Sequence, residues 1–233
     1  MSVGLADDLQ STVNQIYRTS WQEREGRVVP EAADVALGND AVTLDGTVLY
    51  ADLVASTALV KRAKPRFAAE IYKSFLHCSA KVIQASEGAV TAYDGDRIMA
   101  VFLGDTRDTR AAKAALQINW CMIDIVDKLA RERYDLKDWP AFRCTTGVDR
   151  SSLFVARTGV RGANDLVWVG RAANFAAKLS DRRVEGVSIW LTEDVYTKLA
   201  EEARSTNGQS MWTRHDWPEG GIPTYGSGWK WKP

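Results

Sequence analysis

The sequence is poor in the residues that build most metal and nucleophilic sites. Its 233 residues include only two histidines and three cysteines. His77 and His215 are too few for a zinc centre or a histidine-based catalytic triad, and no Cys-x-x-Cys spacing occurs. The cysteines, Cys78, Cys121 and Cys144, are odd in number and set in apolar patterns. This usage is typical of reduced thiols inside a cytoplasmic protein.

The sequence also has no net charge, no leader-like pattern in its first residues and no long apolar run. Thirty basic and thirty acidic residues cancel, so there is no broad positive surface for nucleic acid or an anionic membrane. The first eight residues have neither a basic start nor an apolar run, which argues against a signal peptide. No stretch approaches the roughly 18 apolar residues of a membrane helix. We therefore expect a cytoplasmic protein that binds neither nucleic acid nor membrane, with any phosphate chemistry confined to a local site.

The amino-acid composition, with 45% hydrophobic and 26% charged residues, is typical of a globular domain. Hydrophobic periodicity and turn residues predict helices over 5–26, 65–86, 106–133, 170–179 and 193–203. They predict strands over 47–53, 90–93, 98–103, 142–148, 153–156, 166–169 and 187–191, which lie between these helices. The order is typical of an α+β, ferredoxin-like βααββαβ domain with a mainly antiparallel sheet. We expect this domain over 46–205, an N-terminal helix and loop extension over 1–45, and a Trp-rich, β-containing extension over 206–233 packed on the same domain.

Two aspartates stand where aspartate is least expected. Asp52 closes the apolar segment 48–54, and Asp96 sits in a tight turn just before the apolar segment 98–102. Strand interiors are depleted in aspartate, and a buried carboxylate without a partner is costly. The first strand and the hairpin are neighbours in a ferredoxin-like sheet, so the two carboxylates would converge. Because Mg²⁺ and Mn²⁺ prefer carboxylate and carbonyl oxygens plus substrate phosphates, the pair predicts a hard-metal site.

The segment after Asp52 adds a phosphate-binding pattern. The carbonyl of Leu53 would supply a further metal ligand, and Ser56 and Thr57 would cap a helix whose free N–H groups and positive end suit a triphosphate. Carboxylates, metal and helix terminus together describe a nucleoside triphosphate site. The alternative is that each aspartate is a turn or cap residue and nothing more.

Three motifs in this order resemble those of class III nucleotidyl cyclase catalytic domains, over about residues 45–200. They are the segments Tyr50–Thr57 (YADLVAST), Asp94–Phe102 (DGDRIMAVF) and Gly170–Leu179 (GRAANFAAKL). The resemblance implies that Asp52 and Asp96 bind two divalent cations, Mn²⁺ or Mg²⁺. One ion would activate the ribose 3′-hydroxyl for attack on the α-phosphate and the other would hold the triphosphate, giving a 3′,5′-cyclic nucleotide and pyrophosphate.

The resemblance also implies a head-to-tail homodimer with shared active sites. Asn174 would orient the ribose of a nucleotide held by the partner's aspartates. Lys178 stands where the family usually has arginine, which stabilises the transition state. Lysine keeps the charge but lacks the planar bidentate fork, so we expect either slower chemistry or help from Arg171, Arg182 or Arg183.

Base recognition departs from both purine-specific patterns. Ala92 and Val167 occupy the positions that carry the polar base-reading pair in adenylate and guanylate cyclases. A pocket selects a base through polar groups that would otherwise go unpaired, so these residues disfavour a purine. The combination resembles the short pyrimidine cyclases of bacterial Pycsar anti-phage systems. Tyr50 and Arg97 are the candidate base readers, and UTP is favoured over CTP because a guanidinium donates to uracil carbonyls.

Several alternatives stay open at this stage. Tyr50 and Arg97 are equally compatible with a core tyrosine and a solvated hairpin arginine. A cytidylate cyclase, an adenylate or guanylate cyclase, and a catalytically inactive cyclase-like nucleotide-binding domain remain possible. A polymerase-palm or diguanylate cyclase relative is disfavoured because the Gly-Gly-Asp/Glu-Glu-Phe hairpin of the latter is absent. The resemblance to the Pycsar cyclases implies that the cyclic nucleotide acts on a separate effector protein.

Overall fold

The computed structural model describes residues 4–160 and 162–233; the first three residues of the predicted N-terminal extension lie outside the described residues. The helices are α1 Leu5–Arg18, α2 Ser56–Arg62, α3 Pro65–Ala85, α4 Arg107–Cys121, α5 Lys128–Arg133, α6 Arg171–Ser180, α7 Glu193–Tyr196 and α8 Glu201–Arg204, with a 3₁₀ turn at Ala32–Asp34 and a π segment at Met122–Asp127. The strands are β1 Gln22–Glu25, β2 Asp40–Leu53, β3 Ala89–Asp94, β4 Arg97–Phe102, β5 Cys144–Val160, β6 Ala163–Val169, β7 Ile189–Thr192, β8 Ser205–Thr206, β9 Gln209–Ser210, β10 Thr213–His215 and β11 Thr224–Ser227. Within these described ranges, no helix is long and apolar enough to span a bilayer.

The main sheet confirms the predicted fold class. Its strand order is β10-β11-β7-β5-β2-β4-β3. The central part, β5-β2-β4-β3, places the first strand of the βααββαβ unit between the last strand and the hairpin, which is the ferredoxin-like order. Strand β4 pairs antiparallel with both β2 and β3, whereas β5 and β7 are parallel. The antiparallel β2–β4 pair is the contact that positions the candidate site.

Several element boundaries differ from the sequence prediction. Strand β2 begins at Asp40 rather than at residue 47. It runs through Asp45-Gly46, a dipeptide that is common in turns, because the apolar residues before it are buried in a continuous strand. The strands predicted at 142–148 and 153–156 are one strand, β5. The helix predicted over 193–203 is two short helices, α7 and α8.

One compact unit of the chain comprises the residues up to Leu44 together with Ser152–Gly170. Its first helix ends at Arg18 rather than near residue 26, because the Asn39 side-chain amide donates to the carbonyls of Ile16 and Thr19 at 2.8 and 2.6 Å. The chain then forms β1, which pairs in parallel with the start of β2. In this unit the long hairpin of β5 and β6 is antiparallel from Phe154 and Val169 outwards.

The other unit, Asp45–Ser151 with Arg171–Pro233, holds the candidate site. Its core is formed by β2, β4 and β7 against helices α3 and α4. Helix α6 packs directly on β5 at Gly147, where an added Cβ would lie 2.2 Å from the carbonyl oxygen of Ala176. The C-terminal tryptophans Trp229 and Trp231 pack against the same core, and Asn119 donates to the Trp229 carbonyl at 2.9 Å. The three cysteines are free thiols.

Candidate active site

Asp52 is the buried centre of the site. It is the penultimate residue of β2, is 6% exposed, and lies directly opposite Arg97 in the β2–β4 register. The Arg97 Nε donates to Asp52 Oδ1 at 3.3 Å, and the Arg183 Nη2 donates to Oδ2 at 2.9 Å. Burial raises the pKa of Asp52 above its ordinary value; the positive charge of Arg97 opposes this shift, the negative charge of Asp96 adds to it, and Arg183 opposes it further. The strand end therefore presents a buried carboxylate that attracts cations.

Asp96 lies beside Asp52 because a two-residue turn joins β3 to β4. Asp94 pairs with Arg97, leaving Gly95 and Asp96 at the tip, and Gly95 has a φ of +60° that suits the first central position of a hairpin turn. Asp96 Oδ2 is buried and has no hydrogen-bond partner. Because native structures pair nearly all buried polar atoms, an unpartnered carboxylate oxygen next to Asp52 is a fitting ligand for a cation.

The donor set suits a hard divalent ion bound together with its substrate. Within residues 4–160 and 162–233, no group of three or more His, Cys, Asp or Glu side chains is placed to hold a metal. Two carboxylates without nitrogen or sulfur donors match Mg²⁺ or Mn²⁺, which keep several waters and take substrate phosphates as ligands. The residues present therefore fit a divalent ion held by Asp52, Asp96 and a nucleotide.

The segment after β2 begins helix α2 differently from the prediction. Ala55, with a φ of +59°, is the N-cap residue, and Ser56 is the first helical residue rather than the cap. Thr57 is exposed, and Leu53 has its side chain in the core. The Val54 N–H donates to the Arg143 carbonyl at 2.9 Å, so one backbone donor of this turn is already used. Helix α2 is only seven residues long.

Tyr72 is a site residue that the sequence reasoning missed. It projects from α3, is hydrogen bonded to Ser56, and has its pKa raised by burial and by the negative charges of Asp96 and Asp52. Its neighbour Ile71 belongs to the core stripe of α3. The apolar spacing of α3 predicts which face of the helix is buried, but it does not predict that Tyr72 lies near Asp52 and Asp96.

Helix α6 presents Asn174 and Lys178 away from its own core. The buried residues of α6 are Ala172, Ala173, Ala176, Leu179 and Ser180. Asn174 and Lys178, four residues apart, lie together on the opposite, exposed face. Neither side chain makes a hydrogen bond or an ion pair with any of the described residues, so the structure does not bring them to Asp52 of their own chain.

The three arginines considered as help for Lys178 have separate environments. Arg171 is bonded to the buried Asp149, with Nε to Oδ2 at 3.0 Å and Nη2 to Oδ1 at 3.1 Å. Arg182 lies over the ring of Trp190, with its guanidinium carbon 4.0 Å from the ring centroid. Only Arg183 reaches the candidate site, through Asp52.

The residues assigned to the base are dispersed. Tyr50 is half-buried on β2, and burial raises its pKa although the nearby charge of Arg97 opposes this. Ala92 follows an irregularity in the β3–β4 register and lies opposite Met99. Val167 is an exposed residue of β6 in the other unit, paired with Ala156. Tyr50 and Arg97 thus lie near one another, while Ala92 and Val167 supply no polar group.

Two solved nucleotidyl cyclase structures share this fold. The guanylyl cyclase Cya2 superposes with a TM-score of 0.66 at 14% identity, covering 82% of this chain and 95% of that one. The adenylyl cyclase CyaB from P. aeruginosa superposes with a TM-score of 0.61 at 18% identity, covering 80% of this chain and 95% of that one. The fold is therefore that of a class III nucleotidyl cyclase catalytic domain.

Relatives with closely similar sequences identify a specific family within the nucleotidyl cyclases. A uridylate cyclase of Xanthomonas perforans is 48% identical over 99% of both chains, and one of Burkholderia cepacia is 45% identical over 98% of this chain and 99% of its own. A uridylate cyclase of Rhodovulum is 36% identical over 92% of this chain and 91% of its own. No family model matches the chain. This chain belongs to the uridylate cyclase family.

Proposed function

We propose that this protein converts UTP to 3′,5′-cyclic UMP and pyrophosphate. The ribose 3′-oxygen attacks the α-phosphorus, the bond from that phosphorus to the oxygen bridging to the β-phosphate breaks, and the 3′-hydroxyl proton is released. The observation that carries the proposal is the pair of converging carboxylates, Asp52 buried at a strand end and Asp96 with an unpartnered buried oxygen, in a chain 48% identical to a uridylate cyclase.

The metal requirement follows from this pair. Asp52 and Asp96 would hold two divalent ions, Mn²⁺ or Mg²⁺, with the Leu53 carbonyl as a further ligand. When bound, the ions supply Lewis-acid activation of the 3′-hydroxyl and neutralise charge on the triphosphate. Burial raises the pKa of Asp52 despite the opposing charges of Arg97 and Arg183, and a divalent ion would favour its ionised form further. Ser56 and Thr57 remain the proposed phosphate contacts at the start of α2.

The second half of the site is proposed to come from another copy of the chain. Asn174 and Lys178 share an exposed face and have no partner among the described residues. In a head-to-tail homodimer, Asn174 would orient the ribose held by the partner, and Lys178 would place its charge on the phosphate. A shared site would explain why two family-motif residues project away from their own aspartates.

Base selection is proposed to rest on Tyr50 and Arg97. Arg97 is bonded to Asp52, Tyr50 lies near Arg97, and a flat aromatic face such as that of Tyr50 would suit a single pyrimidine ring. A guanidinium donates hydrogen bonds, which uracil carbonyls accept, whereas the exocyclic amine of cytosine is itself a donor. Ala92 and Val167 offer no hydrogen bond to a purine edge, so a purine would leave its polar groups unpaired.

The test is turnover with each nucleotide separately. Purified protein with Mn²⁺ and ATP, GTP, CTP or UTP is assayed for pyrophosphate release, with Asp52→Ala as the inactive control. We expect release from UTP in the wild type and none in the control. Absence of pyrophosphate with all four nucleotides would support a catalytically inactive nucleotide-binding domain instead.

The biological role is proposed from the same activity. Cyclic UMP would act as a second messenger that activates a separate effector protein during anti-phage defence. UTP is a cytoplasmic nucleotide, so the reaction is proposed for the cytoplasm. Cells infected with phage should then accumulate cyclic UMP only when the chain carries both aspartates.

A further inference from the structure

Arg183 lies outside the three motifs and is nevertheless bonded to the first metal-binding aspartate. Its Nη2 is 2.9 Å from Asp52 Oδ2, and its Nη1 donates to the carbonyl of Ser180 at the end of α6. A β-bridge between Val184 and Val187 closes a turn directly after it. The arginine therefore projects from a defined turn rather than from a free segment.

The same arginine lines a cavity of about 500 Å³. Arg143, Thr145 and Ser188 line it as well, together with one acidic residue, Glu185. Small-molecule sites usually measure about 300–1,000 Å³, so the cavity is large enough for a phosphate chain. Two guanidinium groups and two hydroxyl residues around one cavity suit an anion with several oxygens.

A divalent ion at Asp52 weakens the bonds of this carboxylate to both arginines. Oδ1 accepts from Arg97 and Oδ2 from Arg183, and a dication placed between Asp52 and Asp96 repels both guanidinium groups. Arg97 has a second carboxylate partner, Asp181, at 2.9 Å. Arg183 pairs with no second carboxylate among the described residues, so this repulsion releases Arg183 more readily than Arg97.

We propose that Arg183 is a phosphate-binding residue that rests on Asp52 and moves to the triphosphate when metal and nucleotide arrive. It acts within its own chain, in the cavity that it shares with Arg143. The identity of the nucleotide rests on the proposed function. The change of partner by Arg183, from the Asp52 carboxylate to a polyphosphate, does not depend on which nucleotide is the substrate. The exchange makes two predictions of opposite sign for loss of Arg183: metal alone binds better and polyphosphate binds worse.

Two binding measurements on the full chain test the exchange. Mn²⁺ binding is followed by electron paramagnetic resonance, and inorganic tripolyphosphate binding by calorimetry at constant excess Mg²⁺. Arg183→Gln should bind Mn²⁺ about two- to fivefold more tightly, as expected from removing a competing ion pair of this exposure. It should bind tripolyphosphate about tenfold more weakly, because one charge-assisted contact is lost. Arg183→Lys should recover part of the second loss.

Arg214→Gln is the matched control, because Arg214 is exposed and pairs with the exposed Asp216. It makes the same change in net charge and should leave both affinities at the wild-type value. Unchanged tripolyphosphate affinity in a folded Arg183→Gln protein, or an equal loss in Arg214→Gln, would overturn the proposal. If both affinities shift as expected and UTP yields no cyclic UMP, the phosphate role stands and the proposed function fails.

Discussion

Arg171→Gln is expected to destabilise the protein rather than act on the chemistry. Arg171 sits at the start of the Asn174 helix, and its guanidinium neutralises Asp149, whose side chain is fully buried. It also donates to the Arg150 carbonyl at 2.9 Å, while Thr192 donates to Asp149 Oδ1 at 2.5 Å. After the substitution, the buried carboxylate keeps the Thr192 hydroxyl but loses its adjacent positive charge.

The magnitude follows from the exposure of the two partners. Removing one partner of a fully buried pair costs about 3–5 kcal/mol. The Arg171 side chain is 38% exposed, so solvent screening reduces the expected cost to about 2–3 kcal/mol. For a chain of this size, about 2–4 °C of Tm accompanies each kcal/mol, which predicts a Tm lowered by about 4–12 °C.

The loss should also depend on pH with a definite sign. Burial raises the pKa of Asp149, and the hydrogen bonds from Thr192 and Arg171 oppose that shift. Without Arg171 the pKa rises further. A carboxyl whose pKa is higher in the folded than in the unfolded state makes the folded protein less stable as pH rises through the folded-state pKa. The loss of stability caused by Arg171→Gln should therefore be larger at pH 8 than at pH 5.

Thermal unfolding by circular dichroism at both pH values checks this expectation. Arg214→Gln is the surface control and should stay within about 0.5 kcal/mol of wild type. The double variant Asp149→Asn/Arg171→Gln should lose less than the sum of the two single variants, because the pair is coupled. A wild-type Tm with a collapsed kcat in Arg171→Gln would refute the reasoning and assign Arg171 to the nucleotide.

Three further outcomes are expected. Gly147→Ala should destabilise the fold by about 1–3 kcal/mol or more in urea unfolding, because the new Cβ meets the Ala176 carbonyl oxygen at 2.2 Å; a wild-type midpoint would contradict the close packing of α6. Alkylation of Cys78, followed by mass spectrometry, should accelerate as pH passes through about 7, because a hydrogen bond from the Cys121 thiol lowers its pKa to about 7; a midpoint near the ordinary thiol value would contradict that contact. Mixing Asp52→Ala with Asn174→Ala protein should restore about a quarter of wild-type activity, since half of the dimers would be mixed and each would hold one complete site; no recovery after verified subunit exchange would argue against shared sites.

The sequence was sufficient for the parts of the site that local patterns encode. The Asp-Gly turn and the apolar strands around it are local signals, and the ferredoxin-like order then places the hairpin beside β2. Asp52 opposite Arg97, with Asp96 at the turn, follows directly from that order. The exposed face shared by Asn174 and Lys178 likewise follows from helical periodicity.

The remaining parts depend on contacts between distant residues. Arg183 meets Asp52 across 131 positions of the chain, and no periodic pattern reports such a pair. The continuity of β5 was hidden because the polar run Arg150-Ser151-Ser152 interrupts its apolar alternation, although the backbone continues through it. Strand β2 was shortened in the prediction because Asp45-Gly46 is a common turn pair, whereas pairing with the neighbouring strand holds it extended.

The central claim is that the Asp52–Asp96 site cyclises UTP in preference to other nucleotides. The most direct measurement supplies the wild-type protein and Mn²⁺ with an equimolar mixture of ATP, GTP, CTP and UTP and quantifies all four cyclic products by mass spectrometry. Cyclic UMP should be the dominant product, and Asp96→Ala should form none of the four. A dominant purine product, or cyclic UMP at wild-type levels from Asp96→Ala, would contradict the account.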